Sequence, residues 1–463
     1  MTRRALVVWL GVRLGVWLGL TCAAACGDNR RAPGDDDPLA AVSGSRLALQ
    51  RYRYDDGTEQ VAAGEFYDTG LHTLCRAMQW TDGGVRCAPV ADDAEYLDAS
   101  CTRLVGIGRT IAAPTLFVVY DGAPAGGLVA QVFRAGAPAP PVVQYYTRSG
   151  GACTGPVAVP PEIRRFYELA DEITHGEVVA FHDAVVGDGR IGLVIREGDD
   201  GLRVPSGLRD RELGAACTPG RQADGSFACE PTDAPAAIYF RDPVCREPMV
   251  AVGATAVPAI ARLVEPSGCA SYRRVGGEVS SPVYRRDGDA CTAVDAPAGG
   301  RLFAVEAPLA LAALDRSIEA VPGRRLQHMI LQGRDGLRFV DDRLLDTALA
   351  AECRPRTLRD TIRCIPIGIV PATPLFLGDS CTMQVRVAEV PHAACEPPAY
   401  ATTSRPFQLR TIAADPAPSP LFRLDGDVCK PYTAAPGTEV RALGPPLDLT
   451  TFPSGIYFSE RTP

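Results

Sequence analysis

Lysine is nearly missing from this chain. Of 47 basic residues among 463, only Lys430 is a lysine, no run of basic side chains occurs, and the net charge is −8. A polyanion is held by clustered cations that displace its counterions, so nucleic acid is excluded as a partner. Histidine is scarce too: His72, His175, His182, His328 and His392 are all there is. None forms H-E-x-x-H or H-x3-H, His392 has only Cys395 nearby, and no cysteines are spaced C-x2-C. A zinc site needs more ligands than that, so neither a metal nor a cofactor is expected. The G-x-S-x-G elbow and the G-x4-G-K-[ST] phosphate loop are also lacking, and no pair among the 55 acidic residues stands out for glycoside chemistry. No catalytic residue is nominated. No segment of 18 apolar residues occurs, which excludes a spanning helix.

What is present begins with a targeting pattern. Arg3, Arg4 and Arg13 precede a short apolar stretch, Leu14–Leu20, and then small residues. That is the layout of a secretory signal peptide over residues 1–25. The stretch AAAC, Ala23–Cys26, resembles a bacterial lipobox, with Ala23 where leucine is usual. Cys26 is therefore expected to be the lipidated first residue of the mature chain; ordinary cleavage that leaves Cys26 free is the alternative. Residues 26–44 then read as a lipid-attached, polar and disordered tether. Its DDD is better explained as solvated spacer than as a calcium site.

Glycine and proline are abundant, 46 and 40 residues, which favours many turns and short strands. The phrase SPVYRRDGDAC (281–291) returns as SPLFRLDGDVC (419–429), and a weaker copy is PVVQYYTRSGGAC (141–153). Their last cysteines, Cys153, Cys291 and Cys429, lie 138 apart each time: 291 − 153 = 138 and 429 − 291 = 138. Other marks recur in the same order. Each copy opens with Arg and a strand-like run into Asp-Gly (46–57, 190–201, 325–336). Asp-x2-Leu-x3-Cys follows, at Asp68, Asp210 and Asp346, then Cys-x-Pro, then an aromatic strand ending in cysteine. The reading is three tandem repeats, 45–188, 189–323 and 324–463.

The segments within a repeat are strand-like and turn-bounded, so the expected class is all-β. Eight strands per repeat would make two blades, and three repeats a six-bladed β-propeller. Three small disulfide-braced β domains in a row are the alternative. ALAALDRSIEA (310–320) reads as a helical connector. DGDAC and DGDVC suggest calcium through Asp287, Asp289, Asp425 and Asp427, but SGGAC in the first repeat lacks the carboxylates, so a turn explains all three better. Asp68, Asp210 and Asp346 recur, which points to a structural role, because an active site is usually built once.

The ordered set Arg-Leu, Asp-Gly, Asp-x2-Leu-x3-Cys, Arg-Cys-x-Pro, aromatic strand and Cys resembles a repeat of uncharacterised Cys-rich lipoproteins of myxobacteria and relatives. The resemblance covers nearly the whole mature chain. It implies location and architecture and carries no known activity. It also implies two further cysteines per repeat, where this chain has only Cys269 in the second and Cys395 in the third.

Sixteen cysteines in an exported chain read as a disulfide framework. Beyond Cys22 and Cys26, the cysteines shared by all repeats predict six bridges: Cys75–Cys87, Cys217–Cys229 and Cys353–Cys364 across hairpins, and Cys101–Cys153, Cys245–Cys291 and Cys381–Cys429. Cys269 and Cys395 have no counterparts and are expected to lie too far apart to meet. The functional expectation is a lipid-anchored binding or structural module of the cell envelope, an outer-membrane lipoprotein facing the periplasm or the surface. Its partner would be an envelope protein or glycan, with the membrane touched only through the anchor. A secreted hydrolase or lyase on the same scaffold is the alternative.

Overall fold

A computed structural model describes residues 40–460 apart from 110–112, 123–126, 150, 160–164, 254–256, 265–268, 281, 288–289, 298, 359–360, 392–394, 396–397, 405–406 and 435–437. The proposed leader, Cys22, Cys26 and the tether as far as residue 39 lie outside the described residues; the last residues of the expected tether are instead held in place, with Val42 bridged to Arg203 of the second unit. Beyond these the chain is all-β, with thirty-six strands and two short 3-10 turns. Twelve strands fall within each sequence repeat, not eight.

Each repeat opens with a four-strand antiparallel meander. In the first it comprises Leu47–Tyr54, Glu59–Asp68, Thr73–Gln79 and Val85–Pro89. The last strand of each repeat leaves its own unit and joins the next unit's meander. Ala180–Val186 pairs with Ile191–Gly198, Ala313–Glu319 with Leu326–Gly333, and Ser454–Ser459 with Leu47–Tyr54. Three groups of five strands thus form one closed fifteen-stranded sheet. Four-stranded blades are not among the described pairings, and early and late strands meet by hydrogen bonding round a continuous ring. Full closure leaves this sheet without an edge for another chain to pair with.

The intervening seven strands of each repeat form a separate sheet. In the first and third, a parallel contact closes five of the seven on themselves: Asp92 lies opposite Phe117, and Ile369 opposite Tyr400. In the second the corresponding contact is an isolated bridge between Ala236 and Arg262. The segment expected to be a helical connector is the strand Ala313–Glu319. A lone helix of eleven residues between Pro308 and Pro322 is marginal. As a strand it gains ladders on both sides, to Phe227–Pro231 and to Leu326–Gly333.

The meanders carry compact cores. Leu47, Leu49, Phe66, Cys75 and Cys87 pack with Phe181 and with Val204 of the second unit; Leu326, Leu344, Cys353 and Cys364 pack with Tyr54 of the first. Each such buried aliphatic or aromatic side chain contributes roughly 1.5–3 kcal/mol.

The threefold recurrence is also electrostatic. Asp68, Asp210 and Asp346 are fully buried. Each accepts from the arginine that opens its unit: Arg46 at 2.7 Å, Arg190 at 2.8 Å and Arg325 at 2.7 Å. Each also accepts two backbone amides at the following turn, such as those of Glu212 and Leu213 for Asp210. The Asp-Gly turns link the units in a cycle. Asp56 of the first accepts from the amide of Leu326 in the third at 2.7 Å, Asp335 of the third from Ile191 in the second at 3.3 Å, and Asp200 of the second from Leu47 in the first at 2.6 Å. Burial opposes ionisation of Asp56, but the amides of Leu326 and Thr58 outweigh it and hold its carboxyl below the usual range.

Seven disulfides are formed. Three close meander hairpins, Cys75–Cys87, Cys217–Cys229 and Cys353–Cys364. Cys101–Cys153, Cys245–Cys291 and Cys381–Cys429 tie an outer hairpin to a turn whose cysteine is left-handed, with φ of 51°, 54° and 50° at Cys101, Cys245 and Cys381. The seventh corrects the sequence reading: Cys269 and Cys395 are joined, with their Cα atoms 5.1 Å apart. Equivalent positions need not pair with each other's equivalents. The second and third outer sheets are neighbours in the ring, so one cysteine from each can meet.

Candidate functional site

Residues that occur three times build the frame, so residues that occur once are the candidates for function. Two such groups stand out. The first lies on the strand Asp92–Tyr96. Asp93 pairs with Arg109 at 2.6 Å. Glu95 shares its side of the strand and is pushed up to about 7 by burial and then by the charge of Asp93. Burial and the same charge raise Tyr120. Counting back from the next cysteine along the aligned strands, the second unit has Ala237 and Tyr239 at these positions and the third has Thr373 and Leu375. The group therefore offers a carboxyl that changes charge near neutrality, next to an ion pair.

The second group surrounds a cavity of about 310 Å³ between the hairpin 215–231 of the closed sheet and the outer sheet of the second unit. Phe227, Leu309, Leu311 and Ala313 form apolar walls, while Gln222, Asp224 and Tyr272 line the polar side. The geometry of the polar side is set by Glu230. It accepts from the Gln222 amide at 2.9 Å and from the Tyr272 hydroxyl at 3.1 Å. Burial and then the negative charge of Glu230 push the Tyr272 phenol up to about 12, so it stays a neutral donor at physiological pH. Asp224 is fixed by the amide of Ser226 at 2.9 Å and by its hydroxyl at 2.5 Å.

Phe227 is itself caged. The guanidiniums of Arg316, Arg221 and Arg343 lie 5.1, 5.4 and 5.5 Å from its ring centre. Arg343 is buried and bound to Asp341 at 2.5 Å and to Glu352 at 3.1 Å, and Arg316 reaches Glu352 at 2.7 Å. The Arg221 Nε is buried with no hydrogen-bond partner. Charged pairs of this kind lock side chains in place, so the phenylalanine wall is rigid. A pocket this size sits at the low end of the range for small-molecule sites.

The residues singled out in the sequence are scattered. His175 pairs with Asp82 at 3.1 Å, His182 with Glu197 at 3.0 Å, and His328 is partly buried with its Nδ1 unpartnered; His392 lies outside the described residues. Asp425 pairs with Lys430, the chain's single lysine, at 2.7 Å. Among the described residues no group of three His, Cys, Asp or Glu side chains could hold a metal ion. Gln222, Phe227, Tyr272, Asp93 and Glu95 were not singled out by motif. The signal that finds them is departure from the repeat at a fixed offset from its cysteines.

The comparisons with known proteins are brief. One family model matches residues 19–452, described as a family of unknown function (DUF7481). No curated protein and no solved structure matches.

Proposed function

Because the chain belongs to this family of unknown function, we propose its role from its own geometry: a lipid-anchored, ligand-binding module of the cell envelope, tethered to the outer membrane through Cys26. The seven disulfides support an oxidising compartment, extracellular or periplasmic. The observation that supports binding is the 310 Å³ cavity beside the hairpin 215–231 of the second unit. Its polar groups are held by one another, which fixes the donors and acceptors that would orient a ligand. Two measurements test the proposal. Mass spectrometry of the mature amino terminus is expected to show a diacylated Cys26; a free amino terminus at another residue refutes the anchor. Thermal-shift screening of the full chain against small molecules and envelope glycans is expected to give ligands whose effect vanishes in Ala270→Leu, which narrows the cavity. Ligands that act equally on the variant would place binding elsewhere.

The Asp93–Glu95 group favours the hydrolase reading, since Glu95, raised to about 7 mainly by burial, lies beside a second carboxyl that is paired with Arg109. Under that reading Glu95→Gln abolishes turnover of envelope glycans, which release of reducing ends would measure.

A further inference from the structure

Trp80, Gln222 and Leu358 occupy one position of the repeat: each stands five residues after the first cysteine of its unit. The strand register agrees, because the preceding residues Gln79 and Arg221 face Val85 and Phe227 at matching places. The wall opposite is equivalent as well. The amides of Ile173, Leu309 and Leu447 donate to the carbonyls of Val132, Tyr272 and Leu409 at 2.9, 2.8 and 2.8 Å. The amides of Cys87, Cys229 and Cys364 donate to Val179, Ala312 and Pro453. Val178, Leu311 and Phe452, one residue earlier, are therefore counterparts.

In the first unit the indole of Trp80 is fully buried against Val132, Ile173 and Val178. In the third, Leu358 packs against the cluster that holds Leu409 and Phe452, as Leu447 does. In the second, Gln222 turns aside and gives its amide to Glu230 and to the Gly220 carbonyl at 3.3 Å. The 310 Å³ cavity lies where the other two units place their own side chain, and Tyr272, Leu309 and Leu311 line it. We propose that this slot binds a neutral, flat aromatic small molecule of about indole size, in the place where the first unit buries Trp80. The proposal rests on reading the slot as a ligand site.

The walls decide the chemistry. A sugar would turn hydroxyls against Leu309, Leu311 and Phe227, where they find no partner. A cation would approach the arginine cage around Phe227, and an anion would face Asp224 with Glu230 behind it. A neutral ring satisfies the apolar walls, and an N–H on its edge can donate to the acceptors of the polar side. Aromatic rings enter small apolar cavities of this kind.

The test titrates indole, and in parallel N-acetylglucosamine, against the full chain by ligand-observed NMR. Indole is expected to bind. Gln222→Trp restores the plug of the first unit and is expected to weaken indole binding by at least about tenfold. The same variant is expected to raise Tm by roughly 2 °C through better packing. Ala270→Leu serves as the second variant should Gln222→Trp not fold, and the same loss is expected. If N-acetylglucosamine binds and indole does not, with binding lost in the variants, the ligand class is overturned while the slot stands as the site. Indole binding unchanged in both variants, or no binding of either probe, overturns the site and the ligand class together.

Discussion

Asp210 has no access to solvent, yet its carboxylate holds Arg190 and two turn amides at once. Arg190 is part-exposed and keeps Glu212 and the Ala310 carbonyl as partners, so the loss of Asp210 chiefly leaves two turn amides without their acceptor, which costs about 1–3 kcal/mol. Asp210→Ala is therefore expected to lose stability on that scale in chemical denaturation, and a loss below about 1 kcal/mol, the value of a surface pair, would deny it this role. The aspartates were legible in the sequence because they recur at one offset. Their arginine partners were in view too, as the first letter of each strand-like run, but 20 or so residues of chain hid the pairing. Glu95 was not legible, because its burial depends on how Leu104–Gly108 and the strands beyond it fold back beside Asp92–Tyr96, and no motif marks that. Its carboxyl is raised from 4.5 to about 7 in the folded protein. The folded state thus binds more protons there than the unfolded chain, and stability should fall as pH rises from about 4.5 to about 7. Glu95→Gln is expected to flatten that part of the pH–stability curve. An unchanged slope in the variant would mean that other groups carry it.

At the scale of elements, the terminal strand Ser454–Ser459 has the most to do for its length. It lies between Leu47–Tyr54, with Gln50 opposite Ser459 and Tyr54 opposite Gly455, and Thr361–Pro366, where Ile362 faces Gly455. Tyr457 stacks at 5.2 Å on Tyr52 and donates its hydroxyl to Glu65 at 2.8 Å. A chain ending before Ser454 would expose the edges of two strands and leave the ring open, so it is expected to lose cooperative folding and to aggregate. Circular dichroism and size-exclusion chromatography would show it, and a monomer with an unchanged melt would contradict the closed sheet. The strands were readable from their spacing and turns, and the short hairpin bridges from cysteine spacing. The exchange of a last strand into the next unit was not. Each seam to the donor's own meander is only a short ladder, as at Ala180 and Phe181 against Arg86 and Val85, and such a contact leaves no periodicity in the sequence. Gln222 shows the same limit, since a glutamine in a hairpin looks ordinary until the space beside it is seen.

For the whole molecule, the cyclic symmetry has one covalent exception. Asp56, Asp200 and Asp335 link the three units in the same way, but among the described residues a disulfide, Cys269–Cys395, joins only the second and third. The bridge closes 126 residues of chain and spans two outer sheets rather than the ring. Cross-links over loops of this size restrict the unfolded chain by up to about 4.7 kcal/mol on a chain-entropy estimate. The shorter bridge already inside that loop, Cys353–Cys364, and the two that overlap it, Cys245–Cys291 and Cys381–Cys429, reduce the freedom left to remove, so about 3 kcal/mol is the more reasonable expectation. Cys269→Ser combined with Cys395→Ser should therefore lower the denaturation midpoint while keeping one cooperative transition, because the fifteen-stranded sheet still closes through Leu47–Tyr54 and Ser454–Ser459. Non-reducing peptide mapping of the unaltered chain is the companion measurement, and it should yield the 269–395 linked pair. Free thiols at both positions would remove the staple, and two separate transitions in the double variant would show that the outer sheets, not the ring, hold the units together.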